Sequence, residues 1–94
     1  MKIIIAYDII DNKIRNNIIE ILLEMGLIRI QKSIFFGEIK EKKIKRLVRK
    51  IENIIEKEKD SIYFFRLCEK DFSKINYFGK NIEIYYFNRE FYLL

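Results

Sequence analysis

Apolar positions change their spacing several times along the chain, and each change marks an element. Residues 2–8 (KIIIAYD) form a short apolar run closed by the polar Asp11-Asn12-Lys13, which predicts a buried strand. From there the spacing becomes helical. Ile14, Ile18, Ile21, Leu22 and Met25 share one face, Asp11 or Asn12 stands where a cap is needed, and Gly26 can close the helix with a left-handed residue. Residues 27–39 (LIRIQKSIFFGEI) are rich in β-branched and aromatic side chains and break near Gln31-Lys32-Ser33, predicting two short strands or one bent pair. Residues 41–58 carry the clearest helical stripe, through Ile44, Leu47, Val48, Ile51, Ile54 and Ile55. Residues 61–68 (SIYFFRLC) are apolar on both faces, as a central strand would be. A short turn or single helical turn follows over 69–76. Residues 81–88 and 90–94 read as one or two late strands.

The order strand, helix, two strands, helix, strand gives two βαβ-type halves on one sheet. It predicts an α/β ferredoxin-like sandwich (βαββαβ) with an extra C-terminal strand, in a single domain over residues 1–94. The first strand would be central, with its C-terminal end opening onto the start of a helix. A chain of this size buries only about 60–65% of its unfolded surface. With half its residues hydrophobic, burial of the remaining apolar surface against a second copy is expected.

Composition narrows the chemistry. The formal net charge of +5 permits nucleic-acid binding. Histidine is absent, which excludes Ser–His and Cys–His catalysis and histidine-ligated zinc. Chemistry is left to carboxylates, lysines, tyrosines or a metal held by oxygen ligands. The single cysteine, Cys68, excludes an internal disulfide, fits a reducing compartment, and reads as a core thiol within an apolar strand. Without a signal-like N-terminus or a membrane-spanning apolar run, the expected location is the cytoplasm, with no membrane partner.

Four groups of residues can carry function. Asp8 ends an apolar strand, where a carboxylate either caps the local chain or holds a cation. In a two-fold dimer, two copies of Asp8 would meet one ion, and Mg²⁺ suits so few carboxylates. Arg15 lies in the first turn of a helix, where the dipole disfavours positive charge unless an anion is near. Arg29 enters a strand among apolar neighbours. Both arginines can fork onto phosphates or join surface ion pairs. Ser33, Phe35 and Phe36 form a third group, in which alternation sends one phenylalanine to each sheet face, to pack in the core, in an interface or on a base. Lys42, Lys43, Lys45, Arg46, Arg49 and Lys50 crowd one half of the second helix, with the acids gathered further along. Such a stripe can follow a phosphate backbone or be a solvated face.

Tyr7-Asp8-Ile9 ending the first strand, the stretch from Lys13 to Ile39 and the later Arg66-Leu67-Cys68 together resemble the CRISPR-associated protein two family across nearly the whole chain. The resemblance implies a ferredoxin-like homodimer, partner of the CRISPR spacer-acquisition integrase, whose C-terminal strand region (here 81–94) packs on the partner subunit. It implies a Mg²⁺-dependent endonuclease acting on RNA or duplex DNA, with one ion per dimer held by Asp8 from each chain. The family's site residues fall on Tyr7, Asp8, Arg15, Arg29 and Phe35, and its serine on Ser33. A second arginine found in some members is replaced by Asn17. The alternatives are a non-catalytic DNA-binding adaptor that bridges integrase dimers, and a related ribonuclease toxin of the same fold.

Overall fold

The isoleucine run becomes β1 (Lys2–Asp8), and its alternation sets the architecture. Ile3, Ile5 and Tyr7 are buried on one face, while Lys2, Ile4, Ala6 and Asp8 stand on the other. The computed structural model describes residues 1–76, 78 and 79. After β1 come α1 (Asn12–Glu24), β2 (Ile28–Gln31), β3 (Ile34–Glu38), α2 (Glu41–Glu52), β4 (Ser61–Leu67) and α3 (Glu69–Ser73). The strands run β2-β3-β1-β4 across one sheet, every neighbouring pair antiparallel. This is the predicted ferredoxin-like order, with β1 inside the sheet.

Both long helices pack on the face of Ile3, Ile5, Tyr7 and Phe35. α1 contributes Ile18, Ile21 and Leu22 to this core, and α2 contributes Ile44, Leu47 and Ile51. Asp11 caps α1 by accepting from the Ile14 N–H at 2.9 Å. Gly26, at φ +84°, ends the helix in a conformation that L side chains avoid. Leu27 then crosses β3 so closely that a Cβ at Gly37 would sit 2.5 Å from its Cδ2. The opposite sheet face is covered in part by α3. Phe72 stacks on Phe36 at 5.1 Å, with Ile4, Ile30, Leu67 and Ile75 around them.

Lys2 ties α3 to the sheet. Its ammonium is buried, 3.1 Å from Glu38, 3.5 Å from Glu69 and 5.0 Å from the Phe72 ring centroid. Burial works against its charge, but the hydrogen bond to Glu38 and the charges of Glu38 and Glu69 outweigh burial, and its pKa is raised. The hydrogen bond and charge from Lys2 lower that of Glu38. The lowered carboxylate contributes stability above its unfolded value that is lost as pH falls through its folded pKa. The raised ammonium contributes below its unfolded value, and that part is lost as pH rises through its folded pKa. The stability difference between wild type and Lys2→Met should therefore be flat from about pH 5 to 10 and shrink on either side. Urea denaturation across pH checks this.

Three expectations are corrected. The second helix stops at Glu52 and does not reach residue 58, although Ile54 and Ile55 still pack on the core. The chain turns because Asp60, only 8% exposed, takes the Glu56 N–H at 3.0 Å and the Ile10 N–H at 3.1 Å. β4 is an edge strand of the described sheet rather than a central one, and Tyr63 and Phe65 are 57% and 50% exposed. Cys68 is exposed, its sulfur accepting from the Asp71 N–H at the start of α3. The predicted late strands over 81–94 lie outside the described residues.

Because the Asp60 carboxylate takes the N–H groups of both Glu56 and Ile10, Asp60→Asn leaves one backbone N–H without an acceptor. It is expected to lower stability by about 1–3 kcal/mol, measured by urea denaturation.

Candidate active site at the end of the central strand

β1 ends beside the β2–β3 turn and the start of α1, and the three segments enclose a cleft. Tyr7, Asp8, Ile9, Arg15, Arg29, Lys32 and Ser33 line it. Five of these seven were singled out from the sequence, spread over residues 7–33, and the sheet brings them together. Lys32 was missed. Its only signal was its place in the break between two strands.

Asp8 faces the cleft mouth as the last residue of β1, in register with Ser61 of β4. It is exposed, and its carboxylate has no hydrogen-bond or ion-pair partner among the described residues. Asp11 caps α1 and Asp60 anchors the following loop. The local structural work expected of a carboxylate at this junction is therefore done by others. That sets aside the reading of Asp8 as a cap.

Tyr7 is 6% exposed and leans on Phe35, with ring centroids 6.2 Å apart. Its hydroxyl donates to the Lys32 carbonyl at 2.7 Å, and its N–H donates to the Ser33 carbonyl at 3.0 Å. Burial pushes its pKa up, and the nearby charges of Arg29 and Arg15 pull it back only partly. Tyr7 is thus a hydrogen-bond donor that fixes the turn.

Arg29 donates Nε and Nη2 to the same Lys32 carbonyl, at 3.1 and 2.7 Å, and its guanidinium lies 6.0 Å from the Phe35 ring centroid. Arg15 donates Nη1 to the carbonyls of Ile9 (2.9 Å) and Ile10 (3.5 Å), and Nη2 to the Asn12 side chain. Its place in the first turn of α1 is explained by these carbonyls, with no anion needed. Phe35 and Phe36 are both buried, Phe35 under Tyr7 and Arg29 and Phe36 under α3, so neither offers a free ring to a base.

One chain brings a single carboxylate to the cleft among the described residues. Among the described residues no cluster of three or more His, Cys, Asp or Glu side chains could hold a metal. The hard oxygen donors of Asp8 fit Mg²⁺ as half of a site, because that ion accepts one or two carboxylates and keeps several waters.

The basic residues of α2 are not brought to Asp8. Lys42, Lys43, Lys45, Arg46, Arg49 and Lys50 have no acidic partner among the described residues. Lys43, Arg46 and Lys50 instead rim a separate groove against Ile21, Glu24 and Met25 of α1 and its neighbour. No described helix is long and apolar enough to cross a membrane.

Comparison with known proteins gives consistent results. The family described as CRISPR associated protein Cas2 matches residues 1–75. The CRISPR-associated endoribonuclease Cas2 of Desulforudis audaxviator is 30% identical over 71 residues, covering 76% of this chain and 67% of the relative. That of Korarchaeum cryptofilum is 32% identical over 84 residues, covering 85% and 86%. Among solved structures, Streptococcus pyogenes Cas2 superposes with a TM-score of 0.71 at 20% identity, over 84% of this chain and 100% of that one. A hypothetical protein of Thermus thermophilus, TT1823, reaches 0.72 at 22% identity, over 84% and 90%. At these identities the structures speak for the fold alone.

Proposed function

This chain belongs to the CRISPR-associated Cas2 family, and from that premise we propose that it is a metal-dependent endonuclease centred on Asp8. One observation carries the reading. An exposed carboxylate with no partner among the described residues ends a buried central strand, in a cleft lined by Arg15, Arg29 and Lys32. The endoribonuclease names of the relatives favour RNA as the substrate class.

The working unit we propose is a homodimer. Asp8 shares its sheet face with Ala6 and Ile4 of β1 and, across the register, with Tyr63 and Phe65. The two rings stack 5.8 Å apart at 4° and are half exposed, which favours burial against a second copy. A two-fold contact on that face would bring two Asp8 carboxylates toward one Mg²⁺. When bound there, Mg²⁺ supplies water activation and charge neutralisation at a phosphodiester. The chain's own residues do the rest. Asp8 offers the oxygens. Arg15 and Arg29 add positive charge beside the position a phosphate would take. Tyr7 holds the turn that forms the cleft wall.

A second reading rests on α2. Six cations with no acidic partner among the described residues favour a surface that follows a phosphate backbone, as a non-catalytic adaptor carrying duplex DNA beside the CRISPR integrase would need. Cleavage of labelled single-stranded RNA and duplex DNA, with Mg²⁺ or EDTA, by wild type and Asp8→Asn separates the two. Cutting that needs both Mg²⁺ and Asp8 supports the enzyme. No cutting, with DNA still captured, supports the adaptor.

A further inference from the structure

Resting on the reading of the cleft as a phosphodiester site, we infer that Lys32 is the side chain that meets the substrate phosphate, and that Arg15 is a positioning residue. A guanidinium carries five N–H donors in a fixed fork. Arg15 turns three of them onto the Ile9, Ile10 and Asn12 oxygens that shape the end of β1. Arg29 turns two onto the Lys32 carbonyl. That carbonyl also takes the Tyr7 hydroxyl, so three donors from two strands converge on one backbone oxygen.

This convergence fixes the peptide of Lys32 at the cleft edge while leaving its ammonium uncommitted. Lys32 is exposed and lines the cleft, and its side chain has no acidic partner among the described residues. An ammonium with three free donors on a clamped backbone is suited to a single phosphate oxygen, as a point charge. The arginines build the wall, and the lysine projects from it.

Binding of a labelled single-stranded oligouridylate tests this on the Asp8→Asn background, where the proposed cutting is stopped. Affinity is read against salt for Lys32→Ala, Lys32→Arg and Arg15→Lys, with thermal melts to confirm folding. Lys32→Ala should weaken binding about tenfold at low salt and flatten the salt slope by about 0.7, the loss of one single-strand phosphate contact. Lys32→Arg should restore both. Arg15→Lys keeps the charge but loses the planar fork that spans the Ile9, Ile10 and Asn12 oxygens, and should leave the slope unchanged. With Asp8 restored, Lys32→Ala should raise KM while Arg15→Lys lowers kcat. The inference is overturned if Lys32→Ala stays within twofold of its parent with the same slope, or if Arg15→Lys flattens the slope as much. A changed slope in a protein whose wild type cuts no RNA would sink the nuclease reading and leave Lys32 as a phosphate contact. Absence of any RNA binding would sink both.

Discussion

Asp8→Asn is expected to reduce metal-dependent cleavage by at least about a thousandfold while leaving the fold unchanged. The two halves of that statement have separate physical grounds. Asp8 is exposed at the end of β1 and its carboxylate accepts no hydrogen bond among the described residues, so an amide of the same shape disturbs no contact. Stability should therefore stay within about 0.5 kcal/mol of wild type in urea denaturation. The amide nonetheless removes the negative charge needed to hold Mg²⁺ beside two guanidinium groups. That same loss of charge makes the cleft more positive, so RNA should bind the variant at least as tightly as it binds wild type. A variant that folds, binds and does not cut locates the chemistry at Asp8. Cutting at the wild-type rate would remove Asp8 from the reaction and leave the adaptor reading standing.

The outcome matters because neighbouring carboxylates behave differently. Asp11 and Asp60 each accept backbone N–H groups, and their loss should be read in stability before activity. Three aspartates within or beside one junction thus divide into two that hold the chain and one without a partner among the described residues.

That division was only half legible in the sequence. The strand ending in Tyr7-Asp8, the capped helix after it, and the break at Gln31-Lys32-Ser33 were all readable, because short-range spacing and turn chemistry decide them. The ferredoxin-like order followed from those elements. What escaped was decided by contacts that periodicity does not record. The stripe of α2 continues through Ile54 and Ile55, so periodicity extends the helix, yet the Asp60 carboxylate captures the chain at Glu56 and Ile10. The apolar run at 61–68 looks central because both its faces are apolar, but β4 lies at the edge of the described sheet, with Tyr63 and Phe65 half exposed. A sequence records that a face is apolar and does not record what covers it. Arg15 and Arg29 were recognisable as cleft residues from the family pattern. That each would turn donors onto backbone carbonyls depends on where the Ile9 and Lys32 peptides lie, which spacing cannot show.

Phe35 shows the same limit, and truncating it should produce the largest loss of stability. The family pattern places this aromatic among the site residues. The structure places it fully buried beneath them, with Tyr7 against one side and the Arg29 guanidinium 6.0 Å from its ring centroid. Phe35→Ala should cost about 3–5 kcal/mol, since the transfer energy is lost and a cavity is left behind. Domains of this kind hold about 5–15 kcal/mol in total, so much of the margin would disappear. Activity would then fall for a trivial reason, and Phe35→Leu separates the causes. Leucine keeps most of the buried volume but removes the ring under Arg29. It should stay folded in urea up to a lowered midpoint, and the clamp of Arg29 and Tyr7 on the Lys32 carbonyl should survive because its donors and acceptor are untouched. Cleavage by Phe35→Leu is therefore expected to fall by less than about tenfold. A collapse of cleavage in the folded leucine variant would show that the ring itself, and not the volume it fills, sets the position of Arg29.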